Sequence, residues 1–293
     1  MRILITGASG QLGRELQYWA NETSVYSGVL SFVFADRSVL DIAQLESIPA
    51  FFEQQQFDFC INCAAYTAVD KAEKEPEQAH LVNVLAVEAL AMACAQKNIP
   101  LVHISTDYVY HNHENTPLHE TDRKNPRSIY GKTKLEGEQR ALSAWAKTLI
   151  VRTSWVYSAF GTNFVKTMLN LSQRNSEVRV IADQIGSPTY ARDLAGALLE
   201  IVLDIKSNPH FQQYGVYQYS NEGVCSWYDF AHAIFELSQS KTHLSPIRTL
   251  DYPTPATRPA YSVMEKTRTK STFGLKIPHW RDSLKACLKV LGY

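Results

Sequence analysis

The sequence lacks an excess of charge of either sign. Its 293 residues include 29 Lys and Arg against 29 Asp and Glu, so the formal net charge at pH 7 is zero. A balanced chain has no global electrostatic attraction to nucleic acid or to an anionic membrane. We therefore expect no nucleic-acid partner and no membrane partner.

Long apolar runs are also missing. No run approaches the ~18 consecutive apolar residues from which a membrane-spanning helix is inferred. The chain starts Met1-Arg2-Ile3 and runs directly into a strand pattern, which leaves no room for a signal peptide. These features predict a cytoplasmic protein.

Cysteine is scarce and odd in number, and without secretory signals this predicts reduced thiols. The five cysteines are Cys60, Cys63, Cys94, Cys225 and Cys287. Cys60 and Cys63 have C-x-x-C spacing, but no second pair exists and both lie in a predicted buried strand. We interpret them as structural.

What the chain does have is a glycine-rich turn near its start. An apolar strand, Arg2 to Thr6, leads into G-A-S-G-Q-L-G at 7–13, and a helical pattern follows through Trp19. Strand, turn and helix form a dinucleotide-binding fingerprint with the spacing G-x-x-G-x-x-G. Gly7, Gly10 and Gly13 let the backbone approach a pyrophosphate, and the helix start offers free N–H groups to its charge. A glycine-rich turn without a ligand is the alternative.

The second predicted strand, Ser31 to Ala35, ends at Asp36-Arg37. An acid at this place meets the ribose hydroxyls of adenosine, and an arginine accommodates a 2′-phosphate. With both present, NADH and NADPH stay open as cofactors. Asp41 and Ile42 follow and are candidates to border the adenine, with solvated loop residues as the alternative.

Further strands predict a parallel sheet. Phe57 to Asn62 is followed by the small residues Ala64 and Ala65, then Tyr66 and Thr67, which permit close approach of a cofactor. Ile99 to Ser105 and Leu149 to Thr153 are the next strands, and helices are predicted at Glu77–Gln96 and Ile129–Trp145. Beyond these, helices are expected over 163–172, 190–205, 227–238 and 279–291, with strands over 178–182, 216–219 and 246–250.

The alternation predicts an α/β fold: a Rossmann-like, doubly wound parallel sheet over residues 1–154. Residues 155–293 are expected to form a smaller, partly discontinuous C-terminal α/β substrate lobe. The stretch at about 178–206 is expected to return to the Rossmann domain.

Tyr130 and Lys134 lie four residues apart, so on a helix that Ser128 would cap they share one face. A phenol has an unperturbed pKa of ~10, and a nearby ammonium lowers it, which suits acid–base work near pH 7. Because chemistry lies beyond the carboxyl ends of parallel strands, Thr106 is expected beside this helix. An ordinary exposed helix face is the alternative.

These elements together indicate carbonyl reduction by hydride transfer. Tyr130 would supply a proton to the carbonyl oxygen, and Thr106 would orient that oxygen. Lys134 would hold the nicotinamide ribose and lower the pKa of Tyr130. No metal is needed for this chemistry.

The motifs resemble those of the dTDP-4-dehydrorhamnose reductases, a family in the extended short-chain dehydrogenase/reductase superfamily. They are T-G-A-S-G-Q-L-G (6–13), N-C-A-A-Y-T-A-V-D-K-A-E (62–73), S-T-D-Y-V-Y (105–110), Y-G-K-T-K-L-E-G-E (130–138), R-T-S-W-V-Y (152–157), D-Q-I-G-S-P-T (183–189) and P-T-P-A-T-R-P (253–259). The resemblance covers essentially the whole chain. It implies NAD(P)H-dependent reduction of the 4-keto group of dTDP-4-dehydrorhamnose.

The resemblance also implies roles for individual residues. They are Gly10, Gln11 and Leu12 against the pyrophosphate, Asp41 and Ile42 by the adenosine, Ala65, Tyr66 and Thr67 along the cofactor channel, Asp107 and Trp155 at the sugar nucleotide, and Arg258 at a substrate phosphate.

One departure concerns metal. Some members of the family dimerise through acids that bind Mg²⁺; Glu15 fits that pattern, but Arg192 stands where an acid would be expected. This argues against a metal-bridged dimer and leaves monomer or homodimer open. His111, His113 and His119 share a loop without a matching acidic pattern, so no metal ligands are predicted.

Two alternatives to the leading function remain. One is a reductase of a related nucleotide 4-keto-deoxysugar, since pocket shape sets stereochemistry. The other is a non-catalytic NADP-binding regulatory subunit, like the similar subunit of methionine adenosyltransferase. Intact Thr106, Tyr130 and Lys134 favour catalysis.

Overall fold

A parallel sheet lies at the centre of the protein. The computed structural model describes residues 1–22, 28–111 and 115–293. Within these ranges six strands form the sheet: β1 (Arg2–Thr6), β2 (Ser31–Ala35), β3 (Phe59–Asn62), β4 (Leu101–Thr106), β5 (Thr148–Thr153) and β10 (Gly215–Gln218). Their order across the sheet is β2-β1-β3-β4-β5-β10, and every neighbouring pair is parallel. The predicted doubly wound Rossmann-like fold is confirmed.

The helices are α1 (Gln11–Glu22), α2 (Ser47–Gln54), α3 (Val69–Ala72), α4 (Pro76–His80), α5 (Ala86–Gln96), α6 (Ile129–Ala144), α7 (Phe164–Arg174), α8 (Ala191–Ser207), α9 (Trp227–Leu237), α10 (Thr267–Phe273) and α11 (Trp280–Val290). The remaining strands are short: β6 (Val156–Tyr157), β7 (Glu177–Ile181), β8 (Ile185–Gly186), β9 (Thr189–Tyr190), β11 (Cys225–Ser226) and β12 (His243–Ile247).

The sheet is buried on both faces, which is why its strands are nearly continuous apolar runs. Ile3 and Ile5 of β1 point into one helix layer, where they join a core with Leu16 of α1 and Leu198 of α8. Leu4, between them, points to the opposite layer of α2, α5 and α6. Side chains that alternate along a strand thus supply two separate cores.

The strand order predicts a ligand crevice at one edge of the sheet. β2 and β3 lie on opposite sides of β1, so the connections diverge there, and ligands bind beyond the carboxyl ends at such a point. Thr6 pairs with Asn62 in register, and Thr106 pairs with Thr153. The strand ends at which the sequence predicted site residues therefore lie at one edge of the sheet.

A second group of elements has its own core. β7 pairs in parallel with β12, and α7, α9 and α11 pack around Phe230, Ile234 and Leu284. Helix α8 packs against α1 on the central sheet, and β10 joins that sheet beside β5. Of the stretch expected to return to the first domain, α8 lies on the central sheet and β7 pairs with β12. The division at residue 154 stays a prediction.

Two predicted elements differ from the structure. The long helix is interrupted by a π-helical turn, Leu81–Leu85, between α4 and α5. The last short strand was expected at 246–250, but β12 ends at Ile247 and Thr249–Asp251 is a 3₁₀ turn. The chain turns there because the Asp183 carboxylate holds Thr249. The Thr249 backbone nitrogen donates a hydrogen bond to Asp183 Oδ1 at 2.8 Å.

One stretch corrects the expectation that nothing approaches a membrane span. Among the described residues, Pro76–Gln96 is a helical stretch long and apolar enough by length and composition alone. More than half of its most apolar part is buried inside the protein, where Val87, Leu90 and Cys94 contact the core beneath the sheet. We interpret it as a core helix.

Helix α6 approaches the π-helical turn more closely than a side chain would allow. A Cβ added at Gly137 would lie 1.9 Å from the carbonyl oxygen of Asn83. Only a glycine permits this contact, which sets the distance between α6 and the helix Pro76–Gln96.

We expect Gly137→Ala to lower the free energy of unfolding by about 1–3 kcal/mol, the usual cost of overpacking. Helix propensity alone would stabilise by about 1 kcal/mol, so the steric clash reverses the sign. Urea denaturation measures the change, with Ser143→Ala on the exposed part of α6 as the control, expected within about 0.5 kcal/mol of the parent. A Gly137→Ala midpoint at or above that of the parent would refute the packing argument.

Candidate active site

The glycine-rich turn is shaped by contacts that exclude side chains. Gly7 has φ +66°, and a Cβ there would lie 2.6 Å from the backbone nitrogen of Ala64. At Gly13 a Cβ would lie 2.5 Å from the oxygen of Gly7. Gly10 is exposed, and a Cβ there would meet only that same oxygen at 3.2 Å. The turn therefore presents open backbone at the start of α1.

The side chains of Gln11 and Leu12, the other two residues predicted to bind the pyrophosphate, contact the protein itself. Leu12 is buried in the core under the sheet. The Gln11 side-chain oxygen accepts a hydrogen bond from Asn163 Nδ2 at 2.9 Å. Both residues offer a ligand their backbone at the helix start, where N–H groups are free.

The end of β2 is arranged by Asp36. Its Oδ1 accepts from the Ser38 backbone nitrogen at 2.9 Å and from the Ser38 hydroxyl at 2.6 Å, and these bonds lower the pKa of Asp36. Arg37 is exposed beside it. Asp41 accepts from the Ala43 nitrogen at 3.1 Å, and the Ile42 side chain lies in the core.

The residues after β3 are held by Asn83 from the π-helical turn. Asn83 Oδ1 accepts from the Tyr66 nitrogen at 2.9 Å, and its Nδ2 donates to the Tyr66 oxygen at 3.1 Å. Nδ2 also lies 3.2 Å from the hydroxyl of Thr133 on α6. Asn83 therefore ties this segment to the helix that carries Tyr130. Ala64 and Ala65 are half-buried, and Thr67 is exposed.

Tyr130 and Thr106 meet at the edge of the sheet. Ser128 caps α6 by accepting from the Gly131 nitrogen at 3.1 Å, as predicted. A Cβ at Gly131 would lie 2.4 Å from the Tyr108 oxygen, so this glycine lets the first turn of α6 rest on the 3₁₀ turn Asp107–Val109. That contact places Tyr130 near Thr106, close enough for the Thr106 hydroxyl to influence the pKa of Tyr130.

Lys134 lies below this pair and is 1% exposed. Its Nζ donates to the Ile104 oxygen at 2.8 Å and lies 3.1 Å from His103 Nε2. Burial lowers the pKa of Lys134 to about 8, against the favourable charge of Glu138.

The predicted lowering of the Tyr130 pKa by Lys134 is wrong for this structure. Burial raises the pKa of Tyr130 to about 12, and the hydrogen bond with Thr106 only partly offsets that rise. The ring is 9% exposed, and desolvation disfavours a phenolate there. Lys134 turns its amine toward β4.

Asp107 is buried beside Thr106 with an unused acceptor. Its Oδ1 accepts from the Thr106 hydroxyl at 3.1 Å, whereas its Oδ2 has no hydrogen-bond partner among the described residues. Burial raises the pKa of Asp107 to about 6, although the neighbouring Ser262 and Thr106 hydroxyls act to lower it. A buried carboxylate oxygen without a donor is costly, and a ligand hydroxyl would satisfy it.

Trp155 lies at the start of the second lobe in a left-handed backbone conformation, with φ +48°. Its ring stacks on Trp227, with 3.6 Å between centroids and 9° between planes. Gly186 packs against the ring, where a Cβ would lie 2.7 Å from it. Trp227 was not a predicted site residue, and no local signal connects it to Trp155.

Arg258 is engaged with Asp70. Its two terminal nitrogens lie 2.7 and 3.1 Å from the two oxygens of that carboxylate, a bidentate geometry. Asp70 also accepts from the Ala256 nitrogen at 3.1 Å, which fastens the proline-rich segment to α3. The Arg258 side chain is 23% exposed.

Glu15 and Arg192 form a direct ion pair, with 2.7 Å between Oε2 and Nε. The Ser158 hydroxyl donates to the other Glu15 oxygen at 2.6 Å, and the guanidinium lies 3.6 Å from the Tyr18 ring centroid. Within residues 1–22, 28–111 and 115–293, no group of three or more His, Cys, Asp or Glu side chains is placed to hold a metal ion. His113 lies outside the described residues.

The sequence pattern missed a set of buried polar residues behind the site. They are Thr6, Asn62, His103, Glu138 and Arg152. A signal was present, because polar residues inside otherwise apolar strands need partners when buried.

We expect Asp107→Asn to stabilise the protein more at pH 7.5 than at pH 4. Between pH 3.8 and about 6 the unfolded chain releases this proton while the folded protein keeps it, so stability falls as pH rises. The amide removes that loss, which is worth about 3 kcal/mol at most. Thermal melting across pH 4–7.5 checks it, with exposed Asp282→Asn as control. Equal effects of Asp107→Asn at both ends of this range would contradict the assignment.

The whole chain matches known proteins. The model of the family described as "RmlD substrate binding domain" matches residues 1–292. The dTDP-4-dehydrorhamnose reductase of Aggregatibacter actinomycetemcomitans is 40% identical over 97% of this chain and 97% of its own length.

Solved structures agree. A dTDP-4-dehydrorhamnose reductase from Clostridium acetobutylicum is 38% identical, with a TM-score of 0.92 and 100% of both chains covered. The Bacillus anthracis dTDP-4-dehydrorhamnose reductase, solved in complex with NADP, is 36% identical, with a TM-score of 0.91 and 99% of both chains covered. With a family model over 292 residues and full-length relatives at 36–40% identity, the chain belongs to the RmlD family of dTDP-4-dehydrorhamnose reductases.

Proposed function

We propose that this protein is an NAD(P)H-dependent oxidoreductase that reduces the 4-keto group of dTDP-4-dehydrorhamnose. The product is dTDP-L-rhamnose, a nucleotide sugar for cell-surface polysaccharide synthesis. The observation that carries the proposal is the placement of Thr106 and Tyr130 side by side in a full-length family member. A regulatory protein without catalysis would not need that pair.

The residues present fit a nicotinamide dinucleotide. Exposed Gly10 and the free N–H groups at the start of α1 suit a pyrophosphate, as NADP binding by the Bacillus anthracis relative supports. Asp36 suits the adenosine ribose and Arg37 a 2′-phosphate, with Asp41 and Ile42 nearby. Ala64, Ala65, Tyr66 and Thr67 would line the channel, and Lys134 would hold the nicotinamide ribose.

The cofactor, when bound, supplies the hydride that reduces the carbonyl carbon. Tyr130 gives its hydroxyl proton to the carbonyl oxygen, so the ketone becomes an alcohol. The Thr106 hydroxyl, which donates to Asp107 Oδ1 in the structure, would turn its hydrogen to the same oxygen and align it for that transfer. Solvent returns a proton to Tyr130, and its raised pKa makes the protonated phenol the resting form near neutral pH.

Three residues are proposed to bind the sugar nucleotide. The unpartnered oxygen of Asp107 suits a sugar hydroxyl. Trp155, supported by Trp227, offers an aromatic wall to an apolar sugar face. Arg258 has donors to spare beyond its pair with Asp70, and these suit a diphosphate.

The setting follows from the same observations. A cytoplasmic enzyme agrees with a nucleotide-sugar substrate and with five free thiols. The Glu15–Arg192 pair satisfies both charges without a cation, which supports a monomer or a homodimer that no Mg²⁺ bridges.

We expect Tyr130→Phe to reduce kcat by roughly 10²–10⁴-fold, the usual contribution of a general acid, while NADPH affinity stays near that of the parent. The assay follows NADPH oxidation with dTDP-4-dehydrorhamnose, and a panel of related dTDP-4-keto sugars tests the substrate. Tyr214→Phe, outside the crevice, is the control. Parental turnover of Tyr130→Phe would exclude Tyr130 from the chemistry.

Arg37→Ala is expected to weaken NADPH binding by roughly 10–100-fold, because a charge-assisted hydrogen bond is worth about 1.5–3 kcal/mol. NADH binding in the same variant serves as the internal control and should hardly change. Titration of cofactor fluorescence measures both. Equal losses for NADPH and NADH would show that Arg37 does not bind the 2′-phosphate.

A further inference from the structure

A continuous hydrogen-bond chain runs behind the candidate site, across three strands and into α6. Thr6 Oγ1 lies 2.6 Å from Asn62 Oδ1, Asn62 Nδ2 lies 2.9 Å from His103 Nδ1, and His103 Nε2 lies 3.1 Å from Lys134 Nζ. All four side chains are at most 1% exposed. Because these side chains are buried, each donor in this Thr6–Lys134 chain must face an acceptor.

The orientation of the Asn62 amide is decided by the backbone. The Ala64 N–H, which can only donate, lies 3.1 Å from Asn62 Oδ1. The Thr6 hydroxyl donates to the same oxygen. A flipped amide would set two donors against each other at Ala64, so Nδ2 faces His103.

This orientation determines the tautomer of His103. Asn62 Nδ2 donates, so His103 Nδ1 must accept and carries no hydrogen. A neutral imidazole then has its hydrogen on Nε2. Complete burial lowers the pKa of His103 well below its usual value, which favours the neutral ring.

The Nε2 hydrogen points at Lys134 Nζ, which must therefore accept. An ammonium has three hydrogens and no lone pair, so only the uncharged amine can do this. The amine still donates to the Ile104 oxygen at 2.8 Å. Turning the His103 ring over would put carbon atoms against both neighbours and lose both hydrogen bonds.

Other charged groups on the neighbouring elements do not change this assignment of donors and acceptors. On the elements packed against Lys134 they are Tyr130 and Glu138 on α6, Asp107 and Tyr108 in the 3₁₀ turn, Arg152 on β5, Glu73 after α3, and the surface pair of His80 and Glu136. Glu138 favours the ammonium form, but Arg152 holds its carboxylate at 2.6 Å.

We propose that His103 is a positioning residue whose Nε2–H donates to the uncharged amine of Lys134, so that forming the Lys134 cation costs this hydrogen bond. The inference rests on the proposed function for the role of Lys134 toward a ribose. To donate to ribose hydroxyls as a cation, Lys134 must take one proton from water and give up the hydrogen bond from His103. Cofactor binding is then coupled to proton uptake.

The coupling has a definite sign. Above the lowered pKa of Lys134, about 8, the uncharged amine dominates in the free protein, and binding Lys134 as a cation takes up one proton. Below that pKa the amine is already protonated, and binding takes up none. NADPH affinity in the parent should therefore fall as pH rises through about 8.

Asn62→Asp offers a test with the opposite outcome. A carboxylate accepts from Ala64, from Thr6 and from His103 Nδ1–H, so it moves the ring hydrogen to Nδ1. Nε2 then accepts from a Lys134 ammonium. Thr6→Val is the matched control, because the Ala64 N–H still fixes the amide and neither the tautomer nor Lys134 should change.

Two NMR measurements read the chain directly on the full-length protein. Imidazole ¹⁵N shifts report the His103 tautomer, assigned through Val102 and Ile104 amide contacts, and lysine ¹³Cε shifts report Lys134 titration. At a pH above the Lys134 midpoint, we expect Nε2–H in the parent and in Thr6→Val. Asn62→Asp should show Nδ1–H and a Lys134 midpoint at least about one pH unit higher, a tenfold change in proton affinity. If it does not fold, the parent tautomer alone decides.

Nδ1–H in the parent would overturn the inference, as would a Lys134 midpoint that Asn62→Asp leaves unmoved. The pH dependence of NADPH affinity gives the functional readout, and its alkaline fall should shift upward with the Lys134 midpoint. A merely structural role would lower affinity at all pH values without moving that fall. Failure of the protein to bind NADPH would contradict the proposed function instead, while both NMR results would still decide the role of His103.

Discussion

The close packing of α6 against the end of β4 is the constraint on which the candidate site depends. Gly131 lets the first turn of the helix rest on the Tyr108 carbonyl, and Gly137 lets its middle rest on Asn83. With no side chains between them, Tyr130 meets Thr106 and Lys134 reaches the backbone of β4. Two positions without a side chain thus determine where three reactive ones lie.

The same packing removes water from groups that are costly to bury. Burial makes the charged forms of Lys134 and Asp107 less favourable. It lowers the pKa of Lys134 and raises the pKa of Asp107. The buried pair of Glu138 and Arg152, with Tyr110 over its guanidinium, anchors α6 to β5 below them. Polar contacts beneath the site therefore hold it in place. Burial also shifts the pKa values of its reactive groups from their usual values.

Much of this could be predicted from the sequence, because the signals were local. β1 and β2 begin and end where their apolar runs do, and the strand-end rule placed Thr106 beside the helix of Tyr130. What could not be predicted depends on distant partners. Trp227 stacks on Trp155, Asp70 pairs with Arg258, and burial reverses the expected direction of the Tyr130 pKa.

The central claim is that the hydroxyls of Tyr130 and Thr106 meet one carbonyl oxygen of the substrate. A crystal structure of the protein with NADP and dTDP-L-rhamnose tests it most directly, because the C4 hydroxyl of the product marks that oxygen. The account predicts that this hydroxyl lies within about 3 Å of both side-chain oxygens. A C4 hydroxyl beyond hydrogen-bond reach of Tyr130, with other protein groups around it, would contradict the account.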